Sequence, residues 1–139
     1  MNIEVILDEG AKMPTRAYTE DAGFDLYTPN YVGILGRGCC TIDTGVHMLI
    51  PKGYVGFLKS KSGLNVRLGI RGEGVIDAGY TGSIVVKLYN DSDEPVIFEA
   101  GQKIIQIVIL PIPYVELKQV DTFPCTHRGA SGLGSSGKF

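Results

Sequence analysis

Residues 104–112 read "IIQIVILPI", an almost continuous apolar run interrupted by Gln106 and ending in a proline-containing turn. A run this short and this rich in β-branched residues reads as a strand, and a strand apolar on both sides must be covered on both sides. Either an opposing sheet or a neighbouring subunit has to supply that cover. Similar short runs, punctuated by 19 glycines and 7 prolines, occur at residues 3–7, 39–43, 46–50, 54–59, 83–89, 96–98, 103–110 and 114–120. Helical periodicity is confined to residues 62–68, "SGLNVRL", where Ser62 is placed to cap a short helix and Gly69 to end it. Eight strands and one turn of helix predict an all-β chain, a distorted jelly roll or β-sandwich. The expected organisation is one β domain over residues 1–124, followed by a flexible Gly/Ser-rich C-terminal arm over residues 125–139.

Composition removes several classes of function. A net charge of −2 offers no basic field for a nucleic acid polymer. The opening "MNIEVILDEG" lacks a basic stretch leading into an apolar run, and nothing approaches the roughly 18 to 20 apolar residues that cross a bilayer. The chain is therefore expected to be cytoplasmic and to have no membrane partner. Cys39, Cys40 and Cys125 are odd in number and two are adjacent, which suits neither a disulfide framework nor a C-x-x-C metal site. His47 and His127 stand apart from them, so a zinc cluster is not expected.

Five segments place glycines and polar groups where a plain sandwich has no need of them. In "DAGFDLYTP", residues 21–29, Asp25 lies between Phe24 and Leu26 and so faces away from both, as a solvated strand carboxylate or a site residue. In "KSKSGLNVR", residues 59–67, Lys61, Ser62 and Gly63 gather at the start of the helix, where an anion or an ordinary cap would fit. "GVIDAGYTGSIVV", residues 74–86, reads as a hairpin whose tight connection projects Asp77 and Tyr80, although turn chemistry alone also explains an aspartate there. Gln106 needs an amide partner, which another strand or a ligand could provide. Finally, "RGASGLGSSGKF", residues 128–139, copies the frame G-x-x-x-x-G-K with Gly132, Gly137 and Lys138, but no helix follows the lysine and Phe139 replaces the usual hydroxyl residue. A Walker loop needs that helix, which weakens the P-loop reading; the segment by itself reads equally as a disordered Gly/Ser tail or as an arm that folds around an anion with its backbone N–H groups and Arg128.

Taken in order, the five segments resemble the five motifs of the trimeric dUTPase family: "AGFDL" at residues 22–26, "SGL" at 62–64, "GVIDAGYTG" at 74–82, "GQKIIQ" at 101–106 and "RGASGLGSSG" at 128–137. The resemblance implies a dUTPase-like β-clip and hydrolysis of dUTP to dUMP and pyrophosphate, which lowers dUTP and supplies dUMP for dTMP synthesis. It implies Mg2+ held by the triphosphate and waters rather than directly by the protein, with Asp25 near the metal's water shell. It also implies a homotrimer with active sites between subunits, the arm of a third chain closing over the nucleotide. Carried over residue by residue, Asp77 is the general base, assisted by Asp25 and Gln106 in orienting the site and the attacking water. Lys61, Ser62, Gly63, Gln106, Arg128, Ser135 and Ser136 bind phosphates. Gly74, Ile76, Asp77, Tyr80, Ile84 and Leu133 surround uracil and deoxyribose, Tyr80 excluding a ribose 2′-hydroxyl.

Three positions depart from the family pattern. Lys61 stands where an arginine is usual, keeping the charge without the two-pronged contact. Leu133 replaces a phenylalanine that stacks on uracil, where stacking can contribute about 1 to 3 kcal/mol per base. The connection from Leu64 to Gly74 is also short. Two other readings of the fold are a dCTP deaminase, which needs a Glu and Arg pair and finds weak support in Glu73 because residues 59–67 lack the arginine-rich version of that segment, and a nucleotide-sensing or partner-binding member without catalysis. Asp77 and Tyr80 together favour the hydrolase, since a binding module needs no positioned base.

Overall fold

The computed structural model describes residues 1–137; Lys138 and Phe139, the end of the apparent P-loop frame, lie outside the described residues. The apolar stretch forms the longest strand, Lys103–Pro111, and sits at the centre of the architecture. In chain order the strands are β1 (Glu4–Leu7), β2 (Gly23–Tyr27), β3 (Val32–Ile34), β4 (Cys39–Asp43), β5 (Val46–Leu49) and β6 (Tyr54–Lys59). Helix α1 (Ser62–Leu68) follows, then β7 (Ile70–Arg71), β8 (Glu73–Ile76), β9 (Val85–Asn90), β10 (Val96–Phe98) and β11 (Lys103–Pro111). They form antiparallel sheets in the orders β2-β11-β6-β8, β4-β9-β7, β1-β5 and β10-β3. All four contribute to one apolar core, for example through Leu26, Leu58, Ile107, Val86, Met48 and Phe98. The chain is thus all-β with a single short helix, a jelly-roll-like arrangement of small sheets.

Several expectations are corrected. Residues 114–120 form no strand: they lie beyond Pro111 and Pro113 and every residue from 110 to 137 is exposed on the protomer. Among the described residues, their alternation of apolar and polar residues has no neighbouring strand to pair with. Residues 74–86 are not a paired hairpin, because β8 belongs to the sheet of β6 whereas β9 pairs with β4 and β7. The intervening loop therefore passes from one sheet to another, and β9 begins at Val85 rather than at Ser83. Ser62 does not cap α1; Lys61 occupies the cap position in extended backbone, with no side-chain cap bond, and Ser62 is the first helical residue. Gly69 does end the helix, in the left-handed conformation at φ 67°, and returns its N–H to Asn65 O. The cover over β11 is also uneven: Ile104, Ile105 and Ile107 are buried, whereas Leu110 is exposed.

A β-bulge on β11 sets the face on which the site is built. Gln106 pairs with Asp25, but the register slips between Lys103 and Ile105, so that Lys103 pairs with Tyr27. Strict alternation counted back from Gln106 would send Lys103 to the opposite face. One extra residue reverses that, placing Lys103 on the same side as Asp25 and Gln106.

Candidate active site

Asp25 is the anchor of a polar cluster at one end of the four-stranded sheet. Its backbone is paired on both sides, with Gln106 on β11 and with Thr15, whose carbonyl accepts the Asp25 N–H at 2.7 Å. Its side chain is buried rather than solvated, at 7% exposure. Lys61 Nζ donates to Asp25 Oδ1, and Lys103 Nζ lies 2.8 Å from Asp25 Oδ2. Burial pushes the carboxyl pKa up, but the hydrogen bonds and charges of Lys103 and Lys61 outweigh it and leave Asp25 below the usual carboxylate range. Asp25 is consequently an ionised strut that holds two ammonium groups in place.

The neighbours complete a cavity of about 280 Å³, lined among others by Gly23, Asp25, Lys61, Ser62, Gly63, Lys103 and Gln106. Gln106 is half-buried and spends its amide nitrogen on Ser60 O at 3.1 Å, so another strand end supplies the partner this amide requires. Gly23 lies directly beneath it, where a Cβ would collide with the Gln106 amide oxygen. Gly63, by contrast, would meet no protein atom within 4 Å if it carried a Cβ, so packing does not demand a glycine there. Open space over Gly63 suits the close approach of a ligand. Lys103 and Asp21, which also lines the cavity, are site residues that the sequence reading missed.

Acid sensitivity follows from this arrangement. Because the folded-state pKa of Asp25 is lowered, its contribution to stability is present above the ordinary carboxylate value and is lost as pH falls through the folded value. Asp25→Asn should therefore unfold at a lower urea midpoint near pH 7. A loss of about 1 to 3 kcal/mol is expected for a charged hydrogen-bonding group with half-exposed partners. Below about pH 4, the ordinary carboxylate value, the gap between the two proteins should narrow. Urea melts of parent and variant at pH 3 and pH 7 check this, and an unchanged gap would remove Asp25 as the titrating group.

The remaining predicted residues lie elsewhere. β8 delivers Gly74 and Ile76 to the loop that carries Asp77 and Tyr80, both exposed. That loop is pinned at its ends by Gly79 N–H to Ile50 O at 3.0 Å and Ile84 N–H to Val46 O at 2.8 Å. The Tyr80 hydroxyl donates to Ser83 O at 3.1 Å, folding the ring over Gly82, where a Cβ would strike the phenol. In the arm, Arg128 Nε donates to Ser131 O at 3.0 Å, while Leu133, Ser135 and Ser136 are exposed. None of these lines the cavity around Asp25.

Strand register measures the separation. Asp25, Gln106, Lys59 and Glu73 stand in one row across the sheet, and Asp77 follows Ile76, which stands opposite Gly56 in a row further along. Three strand spacings and four residues along β8 put Asp77 about 20 Å from Asp25. That exceeds the span from base to α-phosphate in a single nucleotide. The chain thus presents a lysine-rich pocket and, well apart from it, a carboxylate-bearing loop.

Among the described residues no group of three or more His, Cys, Asp or Glu side chains could hold a metal ion. With Asp25 already engaged by two lysines, the donor set fits a hard cation that is carried by phosphate oxygens and keeps its waters, as Mg2+ does, and does not fit a protein-built cage.

Together, the antiparallel β architecture, the lysine-flanked carboxylate and the separate aspartate loop define a class of all-β proteins with a cationic surface pocket set apart from an exposed carboxylate. Comparison with known proteins narrows the class: a family model described as dUTPase matches residues 9–137. The chain belongs to the dUTPase family. It is 40% identical over 142 residues to the deoxyuridine 5'-triphosphate nucleotidohydrolase of Tropheryma whipplei, covering 99% of this chain and 97% of that one. Identity to the protein of the same description from Gloeobacter violaceus is 38% over 130 residues, covering 90% and 88% of the two chains. The structure is similar to that of Staphylococcus bacteriophage 80alpha dUTPase with dUPNHPP, with a TM-score of 0.92, 33% identity and 98% of each chain covered. It is also similar to a mutant dUTPase from phage phi11 of S. aureus, described for its coordination of a structural Mg(II) ion. There the TM-score is 0.82 at 31% identity, with 88% of this chain and 99% of that chain covered.

Proposed function

We propose that this chain hydrolyses dUTP to dUMP and pyrophosphate, as a cytoplasmic homotrimer whose active sites combine residues of different subunits. The observation that carries the reading is the separation of the Asp25 pocket from the Asp77 loop, in a chain that belongs to the dUTPase family. A threefold assembly supports both halves at once, by placing the Asp25 pocket of one protomer against the Asp77 loop of the next.

In that arrangement Lys61 and Lys103 face the triphosphate, Ser62 and Gly63 approach its oxygens, and Gln106 orients the attacking water. The Asp77 carboxylate accepts that water's proton as the water attacks the α-phosphorus in line. Gly74, Ile76 and Ile84 frame the uracil, and Tyr80 lies under the deoxyribose where a 2′-hydroxyl would clash. When bound, Mg2+ neutralises charge on the triphosphate. Residues 125–139 act as the arm, with Arg128, Ser135 and Ser136 on the distal phosphates and Leu133 over the base. No described helix is long and apolar enough to cross a membrane.

The test is pyrophosphate release from dUTP, dCTP, dTTP and UTP in the presence of Mg2+, together with the mass of the assembly by sedimentation. Release from dUTP alone and a mass of three chains are expected. Ammonia release from dCTP would establish the deaminase instead, and binding of dUTP without turnover would establish a sensing module.

A further inference from the structure

The loop that bears Asp77 and Tyr80 is held by backbone bonds from Gly79 to Ile50, just beyond β5, and from Ile84 to Val46 of β5, but Thr81 between them is held differently. His47, on β5, has one ring nitrogen on each of two acceptors: Nδ1 lies 2.8 Å from Thr81 O, and Nε2 lies 3.2 Å from both Oδ1 and Oδ2 of Asp8. Thr81 is the residue next to Tyr80. Asp8 is held in turn where β1 ends, its N–H donating to Gly45 O at 2.8 Å. A neutral imidazole has one N–H and one lone pair, so it can donate to only one of these acceptors while its other nitrogen faces oxygen. The imidazolium donates to both.

We propose that His47, as an imidazolium bridging the Thr81 carbonyl and the Asp8 carboxylate, is a positioning residue that holds the base-and-sugar loop in its binding geometry. The proposal rests on the reading of that loop as the uracil and deoxyribose site. Two charged groups favour the cation, Asp8 from the turn after β1 and Asp43 at the end of β4, while Glu4 of β1 lines the same small groove. Asp43 also accepts the Ser83 hydroxyl, so the same acidic neighbourhood braces the far end of the loop. The bond to Thr81, and then that to Asp8, hold the His47 pKa above the ordinary histidine value. With the pKa raised, the brace is complete below the ordinary value and is lost as pH rises through the folded value. Nucleotide binding that needs an ordered loop must then weaken over the same range.

Ring resonances of the two histidines of the full chain are titrated by NMR with and without dUPNHPP, those of His47 being assigned by their loss in His47→Gln. Free His47 should titrate above the ordinary value, fall towards it in Asp8→Asn, and move higher when the nucleotide is bound. An upward move of half to one pKa unit corresponds to a KM for dUTP about threefold to tenfold lower at pH 6 than at pH 8.5. His47→Gln, which keeps an amide donor but no titrating charge, should flatten that ratio. A parent-like pH profile in His47→Gln, or a His47 pKa that the nucleotide leaves unmoved, would overturn the proposal. If dUTP proves not to be a substrate, the reading of the loop fails, while the nucleotide-free titration and Asp8→Asn still decide whether the imidazolium bridge exists.

Discussion

Asp77→Asn is expected to lower dUTP turnover by about 10²- to 10⁴-fold, the usual contribution of a positioned general base, with little change in affinity for dUPNHPP. The side chain keeps its size and loses only the ability to take a proton. Asp77 is exposed at the head of a loop whose ends are pinned by Ile50 and Val46, so neither folding nor the loop's path depends on its charge. Turnover and analogue affinity measured on the same preparation separate the two effects. Near-parental turnover would remove Asp77 as the base, whereas equal losses in binding and turnover would recast it as a base-recognition residue.

Removal of residues 129–139 should have a comparably large effect on activity and almost none on folding. Among the described residues of that segment none is buried, and the hydrogen bonds of residues 128–137 are local turns, such as Ser135 N–H to Gly132 O at 2.9 Å. Left-handed backbone at Gly129, Gly134 and Gly137 gives the segment a winding course that L-residues would resist. A parental thermal midpoint with strongly reduced turnover would support closure over the nucleotide. Full activity after truncation, or an unfolded product, would end the role assigned to the arm.

Local signals in the sequence were legible where one element answers to its own residues. The limits of α1 could be read because Gly69 supplies a left-handed stop, and β4, β6 and β10 because apolar runs lie between turn residues. The strand expected at residues 114–120 failed for a physical reason: alternation describes a surface that wants cover, and nothing in the sequence says which chain provides it. The hairpin expected around Asp77 failed because a tight connection looks alike whether its flanking strands pair with each other or enter separate sheets. Of the site, the motif residues were visible through resemblance, but Lys103 was not. Its face is set by the bulge beside it, and counting by twos along β11 points it away from Asp25. A lysine heading an apolar strand beside another strand with a central aspartate was the available hint.

The distance between the lysine pocket and the Asp77 loop also bears on inheritance. If each active site borrows its base from one chain and its lysine pocket from another, a damaged chain in a mixed assembly spoils the site where its defect falls and still lends its intact half to a neighbour. The severity of a lesion in a cell carrying two alleles would then follow from counting how defective and sound halves meet, and not from the fraction of defective chains.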